Sequence, residues 1–251
     1  MERSDYIYGL RAIIEALDSG QNVDKIFLSK DVKSELATEM TRLARSLRVP
    51  VQRVPVERIN RITRKNHQGA LAMMSAVTYH RLDHLVPALY EDGVLPFIVM
   101  LDGITDVRNF GAIARTCECA GVDAIVIPEH GSVSVGGDAV KTSAGALLHI
   151  PVCRVSSIAW AAGFLRENGY AVMAVSEKAE KNYTEASYTD PVALIMGAED
   201  VGISPEAMKE TTERVAIPMF GAIGSLNVSV ASGVLIYEVV RQRLGANLEI
   251  E

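Results

Sequence analysis

Residues 97–115 read Phe-Ile-Val-Met-Leu-Asp-Gly-Ile-Thr-Asp-Val-Arg-Asn-Phe-Gly-Ala-Ile-Ala-Arg, FIVMLDGITDVRNFGAIAR. A short, nearly continuous apolar run ends in Asp102-Gly103, a polar turn follows, and helical spacing begins around Asn109. That unit repeats along the C-terminal part of the chain. Apolar strand candidates lie at 97–102, 124–128, 150–155, 170–176, 192–197 and 214–219, with helical candidates between them near 109–120, 140–148, 157–168, 204–212 and 227–243. Uninterrupted apolar strands alternating with helices predict an α/β fold with a parallel sheet covered on both faces. Ligands of such sheets gather beyond the carboxyl ends of the strands, so polar residues just after strands are the ones to weigh.

Working toward the N-terminus, Tyr79 to Pro96 shows no strong period beyond a short helix near 83–91, and 79–95 reads as a linker. Before it lies a small α/β unit, 1–78. It has a helix over Tyr8–Leu17, a strand at Lys25–Leu28, a helix over 33–48, a short strand at Val49–Val54 and a last strand at Ala70–Val77. The remainder, 96–251, is the stretch of alternating strands and helices.

The chain has 251 residues and a net charge of −6, which argues against nucleic acid until its distribution is considered. Residues 1–70 carry 13 Lys and Arg against 9 Asp and Glu, whereas the other 181 carry 12 against 22. Such asymmetry is a recognised sign of a nucleic-acid-facing module. It sharpens at 48–65, where Arg48, Arg53, Arg58, Arg61, Arg64 and Lys65 face one acid, Glu57. Taken alone, that run is better explained by a solvated helix or loop face. No segment is apolar enough for a membrane span, and Met-Glu-Arg-Ser-Asp-Tyr lacks the pattern of a secretory signal. Cys117, Cys119 and Cys153 form neither a disulfide framework nor a paired zinc set, and read as reduced thiols of a cytoplasmic protein.

Three stretches could carry chemistry. After strand 97–102, Asp106 or Asn109 can cap a helix, while Arg108 and Arg115 suit a phosphate. No GxGxxG follows that strand, which disfavours a nicotinamide enzyme and the methyltransferases that use a Gly-rich first loop. After strand 192–197, Gly197 permits close approach of a ligand to the backbone, Glu199 and Asp200 follow, and Ser204 is placed to cap a helix beginning at Pro205. The third stretch, Ile223-Gly-Ser-Leu-Asn-Val-Ser-Val-Ala-Ser-Gly233, offers Ser225 as a helix cap and Ser229 to Gly233 as small residues keeping the following helix slim.

Taken in order, "DGITDVRNFGAIARTCECAGVDAIVIP", "ALIMGAEDVGIS" and "AIPMFGAIGSLNVSVASG" resemble the three motifs of the SpoU family of RNA ribose 2′-O-methyltransferases. "YGLRAIIEAL" and "NHQGALAMMS" resemble the start and end of the substrate-binding N-domain in its 23S rRNA guanosine (RlmB-like) branch. One departure is visible: Val107-Arg108 stands where the family usually has Pro and a small or apolar residue. The resemblance implies a SPOUT-type C-terminal domain with a deep trefoil knot, an L30e-like N-terminal RNA-binding domain, and a homodimer. No metal and no membrane are expected. It implies S-adenosyl-methionine held by the backbone at Gly197, Ile217, Met219 and Leu226, and a catalytic set of Asn109, Arg115, Glu199, Ser225 and Asn227. RNA would be held by Arg11, Arg61, Arg64 and Lys65.

The resemblance also assigns removal of the 2′-hydroxyl proton to Arg115. A guanidinium stays protonated, so phosphate binding and alkoxide stabilisation, with Glu199 and Asn109 fixing its orientation, suit it better. A tRNA substrate, a non-catalytic RNA-binding paralogue and a nucleotide-dependent oxidoreductase are the rival readings.

Overall fold

A computed structural model describes residues 6–248. The chain divides into two compact units, 1–78 with 134–138, and 79–133 with 139–251.

The smaller unit runs β1 (Tyr6–Tyr8), α1 (Leu10–Asp18), β2 (Val23–Ser29), α2 (Glu35–Ser46), β3 (Val51–Val54), α3 (Val56–Ile62) and β4 (Ala70–Met74). Its sheet has the order β1-β4-β2-β3, antiparallel except for the β2–β3 pair. One sheet face packs Ile26, Leu28, Ala70 and Ala72 against Ile13, Leu17 and Met40 of the first two helices. The other packs Phe27 and Leu71 against Ile59. The alternation of β2, Ile26 and Leu28 to one side and Phe27 to the other, is what a two-sided strand requires.

Two local differences from the sequence reading have plain causes. Tyr8, expected in a helix, ends β1, because Gly9 adopts φ 90° and the helix starts only at Leu10. Residues 56–62, hidden inside the basic run, form α3, whose apolar contribution is Ile59 at the sheet and Ile62 beside it.

The larger unit runs β5 (Tyr79–His80), α4 (Leu82–Glu91), β6 (Phe97–Asp102), α5 (Val107–Cys119), β7 (Ala124–Pro128), α6 (Gly137–Thr142), β8 (Val152–Val155), α7 (Ile158–Glu167), β9 (Ala171–Val175), β10 (Val192–Gly197), α8 (Pro205–Lys209), β11 (Glu213–Val215) and α9 (Val228–Leu248). Seven strands form one wholly parallel sheet in the order β11-β9-β10-β6-β7-β8-β5. Phe97 to Leu101 and Val192 to Met196 are all buried, as strands covered on both faces must be. The strand order reverses between β6 and β10, where Asp102 pairs in register with Gly197. Such a switch point opens a crevice at the carboxyl edge.

The stretch expected as a linker, 79–95, is instead built into this unit: β5 pairs with β8, and Leu82 and Val86 of α4 are buried in the core under the sheet. Its weak helical period reflects a ten-residue helix interrupted by Pro87. The strand expected at 214–219 ends at Val215, because Ile217 and Met219 line a cleft rather than a sheet. The helix expected at 140–148 divides into α6 and a short helical turn at Ala146–Leu148, separated by positive φ at Ala144 and Gly145. Among the described residues, no helix is long and apolar enough to cross a membrane.

Candidate functional site

Asp106 is the cap of α5. Its Oδ1 accepts the backbone N–H groups of Arg108 and Asn109, both at 2.9 Å. The Asn109 side chain is thereby free for another task. Its Nδ2 donates to Glu199 Oε1 at 3.2 Å, and its Oδ1 accepts from Asn227 Nδ2 at 3.0 Å. Asn227 Nδ2 also donates to Glu199 Oε1, at 2.6 Å. The remaining end of the Asn227 amide is used as well, since Oδ1 accepts Ser229 N–H at 3.0 Å and so caps α9. Three expected residues from three separate motifs thus form one closed cluster. Ser225, the other candidate for that cap, is instead exposed and lines a cleft.

Gly197 shapes the cleft's floor. The turn after β10 closes on itself through Gly202 N–H to Ala198 O at 2.9 Å and Ala198 N–H to Gly202 O at 3.2 Å. A Cβ on Gly197 would lie 2.3 Å from the Gly202 carbonyl carbon, so no other residue fits here without moving backbone. Asp102, at the end of the neighbouring strand, accepts Ser204 N–H at 2.8 Å through Oδ2 and fixes the other end of the same turn. Ser204 stands at the start of α8 as expected, but its side chain makes no capping bond. Asp102 satisfies that backbone group in its place.

Above this turn is a cleft of about 390 Å³, lined by Gly197, Ile217, Met219 and Leu226, the four residues expected at a cofactor, together with Glu199, Ser225 and Asn227. That volume falls within the range of small-molecule sites. Its walls combine apolar side chains with open backbone at Gly197 and Gly224, a lining suited to a nucleoside-like ligand with a polar tail. Ser176 and Glu177 also line it and were missed in the sequence. Their signal was available, since they directly follow a strand of the switch-point sheet.

Two expectations change. Arg115 is exposed on α5, makes no hydrogen bond or ion pair among the described residues, and does not line the cleft. Among the described residues Asn109 and Glu199 bond to each other and to Asn227, and make no hydrogen bond with the guanidinium. Gly233 is not needed for slimness within the chain, because a Cβ there would meet nothing within 4 Å. Ser232 is buried, with its hydroxyl turned back to Val228 O at 2.7 Å. Where closeness is required is Gly111, whose Cβ would lie 2.3 Å from Thr142 Oγ1.

In the smaller unit Arg11, Arg61, Arg64 and Lys65 are all exposed. Other members of the basic run are structural. Arg53 donates to the carbonyls of Ser29 and Val32 at 3.0 and 2.8 Å, and the Arg58 guanidinium lies 4.8 Å from the Phe27 ring centroid.

A cleft beyond the carboxyl ends of β9, β10 and β11 of a parallel sheet, rimmed by polar residues that follow those strands, defines a ligand-binding α/β protein. Comparison with known proteins narrows the class. Residues 96–237 match the SpoU rRNA Methylase family, and residues 6–80 match the RNA 2′-O ribose methyltransferase substrate-binding domain. The YacO protein of Bacillus subtilis (strain 168), named for the TrmH family tRNA/rRNA methyltransferases, is 33% identical over 242 residues, covering 96% of this chain and 97% of that one. A Staphylococcus saprophyticus protein named for the same family is 34% identical over 237 residues, covering 94% and 95%. An AdoMet-bound rRNA methyltransferase from Sinorhizobium meliloti shares the fold with a TM-score of 0.59 and 25% identity, over 94% of this chain and 86% of that one. The SpoU methyltransferase AviRb from Streptomyces viridochromogenes, solved with AdoMet, gives a TM-score of 0.60 at 23% identity, over 96% and 90%. The chain belongs to the SpoU family of RNA methyltransferases.

Proposed function

We propose that the chain methylates the 2′-hydroxyl of a ribose in RNA, using S-adenosyl-methionine, with a guanosine of 23S rRNA as its target. The observation that carries the reading is the Asn109–Glu199–Asn227 cluster on the rim of the cleft lined by Gly197, Ile217, Met219 and Leu226. The residues fit the cofactor: glycine backbone without room for a side chain, apolar walls for a purine, and the Glu177 carboxylate for a cationic amino group. When bound, S-adenosyl-methionine supplies an electrophilic methyl group.

The protein's own task is alignment, which can contribute several kcal/mol to lowering a displacement barrier, of the order of 7 in favourable cases. Glu199 holds Asn109 and Asn227 in fixed orientation, and Ser225 and Asn227 place the ribose at the cleft. Arg115, exposed and without an ion-pair partner among the described residues, is available to bind the phosphate beside the target and to stabilise charge developing on the ribose oxygen. The same reading makes the segment between β11 and α9, which lines the cleft, the threaded part of a trefoil knot.

Arg11, Arg61, Arg64 and Lys65 would supply phosphate affinity that falls steeply with salt. A homodimer is supported by α9. It buries Leu235, Ile236 and Val239 against its own unit, while Val230, Tyr237 and Leu244, spaced seven apart, stay exposed at 52%, 51% and 59%. A helix apolar on two sides asks for a second covering surface.

The decisive experiment is transfer of a tritiated methyl group to 23S rRNA and to bulk tRNA transcripts, followed by mapping of the 2′-O-methyl position. Label in 23S rRNA at a guanosine supports the proposal. Label in tRNA alone selects the tRNA reading, and label in neither rejects catalysis on these RNAs.

A further inference from the structure

Among the described residues, three that are not glycine hold a positive φ: Arg48 at 55°, Gln68 at 51° and Ala144 at 51°. Two have a local explanation. Arg48 reverses the chain after α2, with its own N–H returned to Arg45 O and that of Val49 to Ala44 O. Ala144 closes α6 in the same way, its N–H returned to Lys141 O. Gln68 is different.

Gln68 and Gly69, at φ 51° and 75°, are the two central residues of a tight turn closed by Ala70 N–H to His67 O at 2.9 Å. Positive φ at both positions is the signature of a primed hairpin turn, whose first position favours Asn, Asp or Gly. A long, unbranched glutamine gains nothing there, and a residue held in a costly conformation inside a well-determined frame points to a task outside the fold.

The frame is well determined on every side. His67 is buried, accepts Gly69 N–H through Nδ1 at 3.0 Å, and so carries its proton on Nε2, 2.8 Å from Asn60 Oδ1. Gly69 is fixed because a Cβ would lie 2.4 Å from Val32 Cγ2. Gln68 alone points outward. It is exposed, and its carboxamide has no hydrogen-bond partner among the described residues. The carboxamide lies over the start of α1, its Oε1 being 4.0 Å from where a Cβ on Gly9 would stand. Next to it, the Lys65 ammonium sits 5.8 Å from the Tyr8 ring centroid, and Arg11 is exposed two residues beyond Gly9.

We propose that Gln68 reads an unpaired base of the RNA substrate, an adenine contacted at N6 and N7, while Lys65 and Arg11 hold the flanking phosphates. The inference rests on the RNA methyltransferase reading above. An uncharged carboxamide presents one acceptor and one donor side by side, which matches the N6 donor and N7 acceptor of adenine. The cations fix position without reading sequence, and RNA offers its base edges where nucleotides are unstacked.

The test uses the full chain with a 23S rRNA transcript and a bulk tRNA transcript, in filter binding across a salt series and in tritiated methyl transfer. Gln68→Gly should relieve the turn and raise Tm by about 2 °C. It should nevertheless weaken binding of the methylated transcript about 10-fold while leaving the salt slope unchanged. Lys65→Ala should instead lower the slope of log K against log salt by about 1. A transcript containing 7-deaza-adenosine should bind the wild-type chain as weakly as Gln68→Gly binds the normal one, and should weaken Gln68→Gly no further. Unchanged affinity of Gln68→Gly, a loss that comes with a reduced salt slope, a fall in Tm, or indifference of the wild type to 7-deaza-adenosine would each overturn the inference while methylation stands. Failure of the wild-type chain to bind or methylate either transcript would reject catalysis on these RNAs, the proposed reading on which this inference rests, and this inference with it.

Discussion

Asn227 Nδ2 donates to Glu199 Oε1 at 2.6 Å, joining the residue that caps α9 to the turn after β10. The same oxygen also accepts from Asn109 Nδ2, so one carboxylate oxygen locks side chains from three separate segments. Because the cluster is open to solvent, its contribution lies in position more than in stability. Glu199→Ala should therefore lower single-turnover methyl transfer by about 10²-fold, the scale of losing a positioned polar group, with Tm shifted by no more than about 2 °C. Glu199→Gln can still present an acceptor to both amides and should retain more activity. Equal losses in the two variants would show that charge, not orientation, is what Glu199 supplies.

Arg115 is the opposite case, an exposed site candidate with no hydrogen-bond or ion-pair partner among the described residues. An exposed side chain without contacts contributes within about ±0.5 kcal/mol to folding, so Arg115→Ala should melt with the wild type. If Arg115 stabilises charge on the ribose oxygen, methyl transfer at saturating RNA should fall about 10²–10³-fold. Near-normal turnover would remove Arg115 from the mechanism.

Gly197 tests the cleft itself. A Cβ at this position meets backbone atoms of Gly202 and Ile203 at 2.3 and 2.4 Å, so Gly197→Ala must shift the 198–203 turn that carries Glu199. Binding to the native state at 100 times Kd adds about 2.7 kcal/mol of stability. The wild type should therefore show a clear rise in Tm with S-adenosyl-methionine, and Gly197→Ala should lose it. A full ligand-induced rise in the variant would place the cofactor elsewhere.

How far these features could be read from sequence depends on the range of the interaction that fixes them. The runs 97–102, 124–128 and 192–197 coincide with β6, β7 and β10, because an interior parallel strand is apolar throughout and needs no partner to declare itself. At 214–219 the same apolar signal misled, since Ile217 and Met219 are apolar for a cleft and not for a sheet. The 79–95 segment looked like a linker because a two-residue edge strand and a short helix give too few periods to register. Asn227 shows the other limit. Its bond to Asn109 spans 118 residues, and nothing local distinguishes a serine cap at Ser225 from the asparagine cap that forms.

The cysteines give a test of the core independent of function. Cys117 and Cys153 are buried and Cys119 is exposed. Burial disfavours the thiolate, pushing the Cys153 thiol up to about 12 and that of Cys117 higher still. Only the thiolate is nucleophilic, so at pH 8 both buried groups stay protonated as well as shielded. Titration of the native chain with a thiol reagent should give rapid reaction at Cys119, with Cys117 and Cys153 reacting only after denaturation. Prompt reaction of a second thiol at pH 8 would show that β8 or α5 opens far more readily than this packing permits.

The covering of α9 is the last point the structure makes testable. Tyr237 lies between Val230 and Leu244 on the exposed stripe, on the side away from the buried Leu235, Ile236 and Val239. If two copies meet along that stripe, Tyr237→Glu places a carboxylate in the centre of an apolar interface, where an unpaired buried charge costs several kcal/mol, about 3–5 in comparable pairs. Light scattering should then give about twice the 27.2 kDa chain mass for the wild type and a single chain mass for the variant. Because Tyr237 is exposed in the single chain, circular dichroism of the variant should be unchanged, which separates dissociation from unfolding. A wild-type mass equal to one chain would leave α9 uncovered and remove the homodimer from the proposal. A Tyr237→Glu variant that stays dimeric would move the interface to another surface.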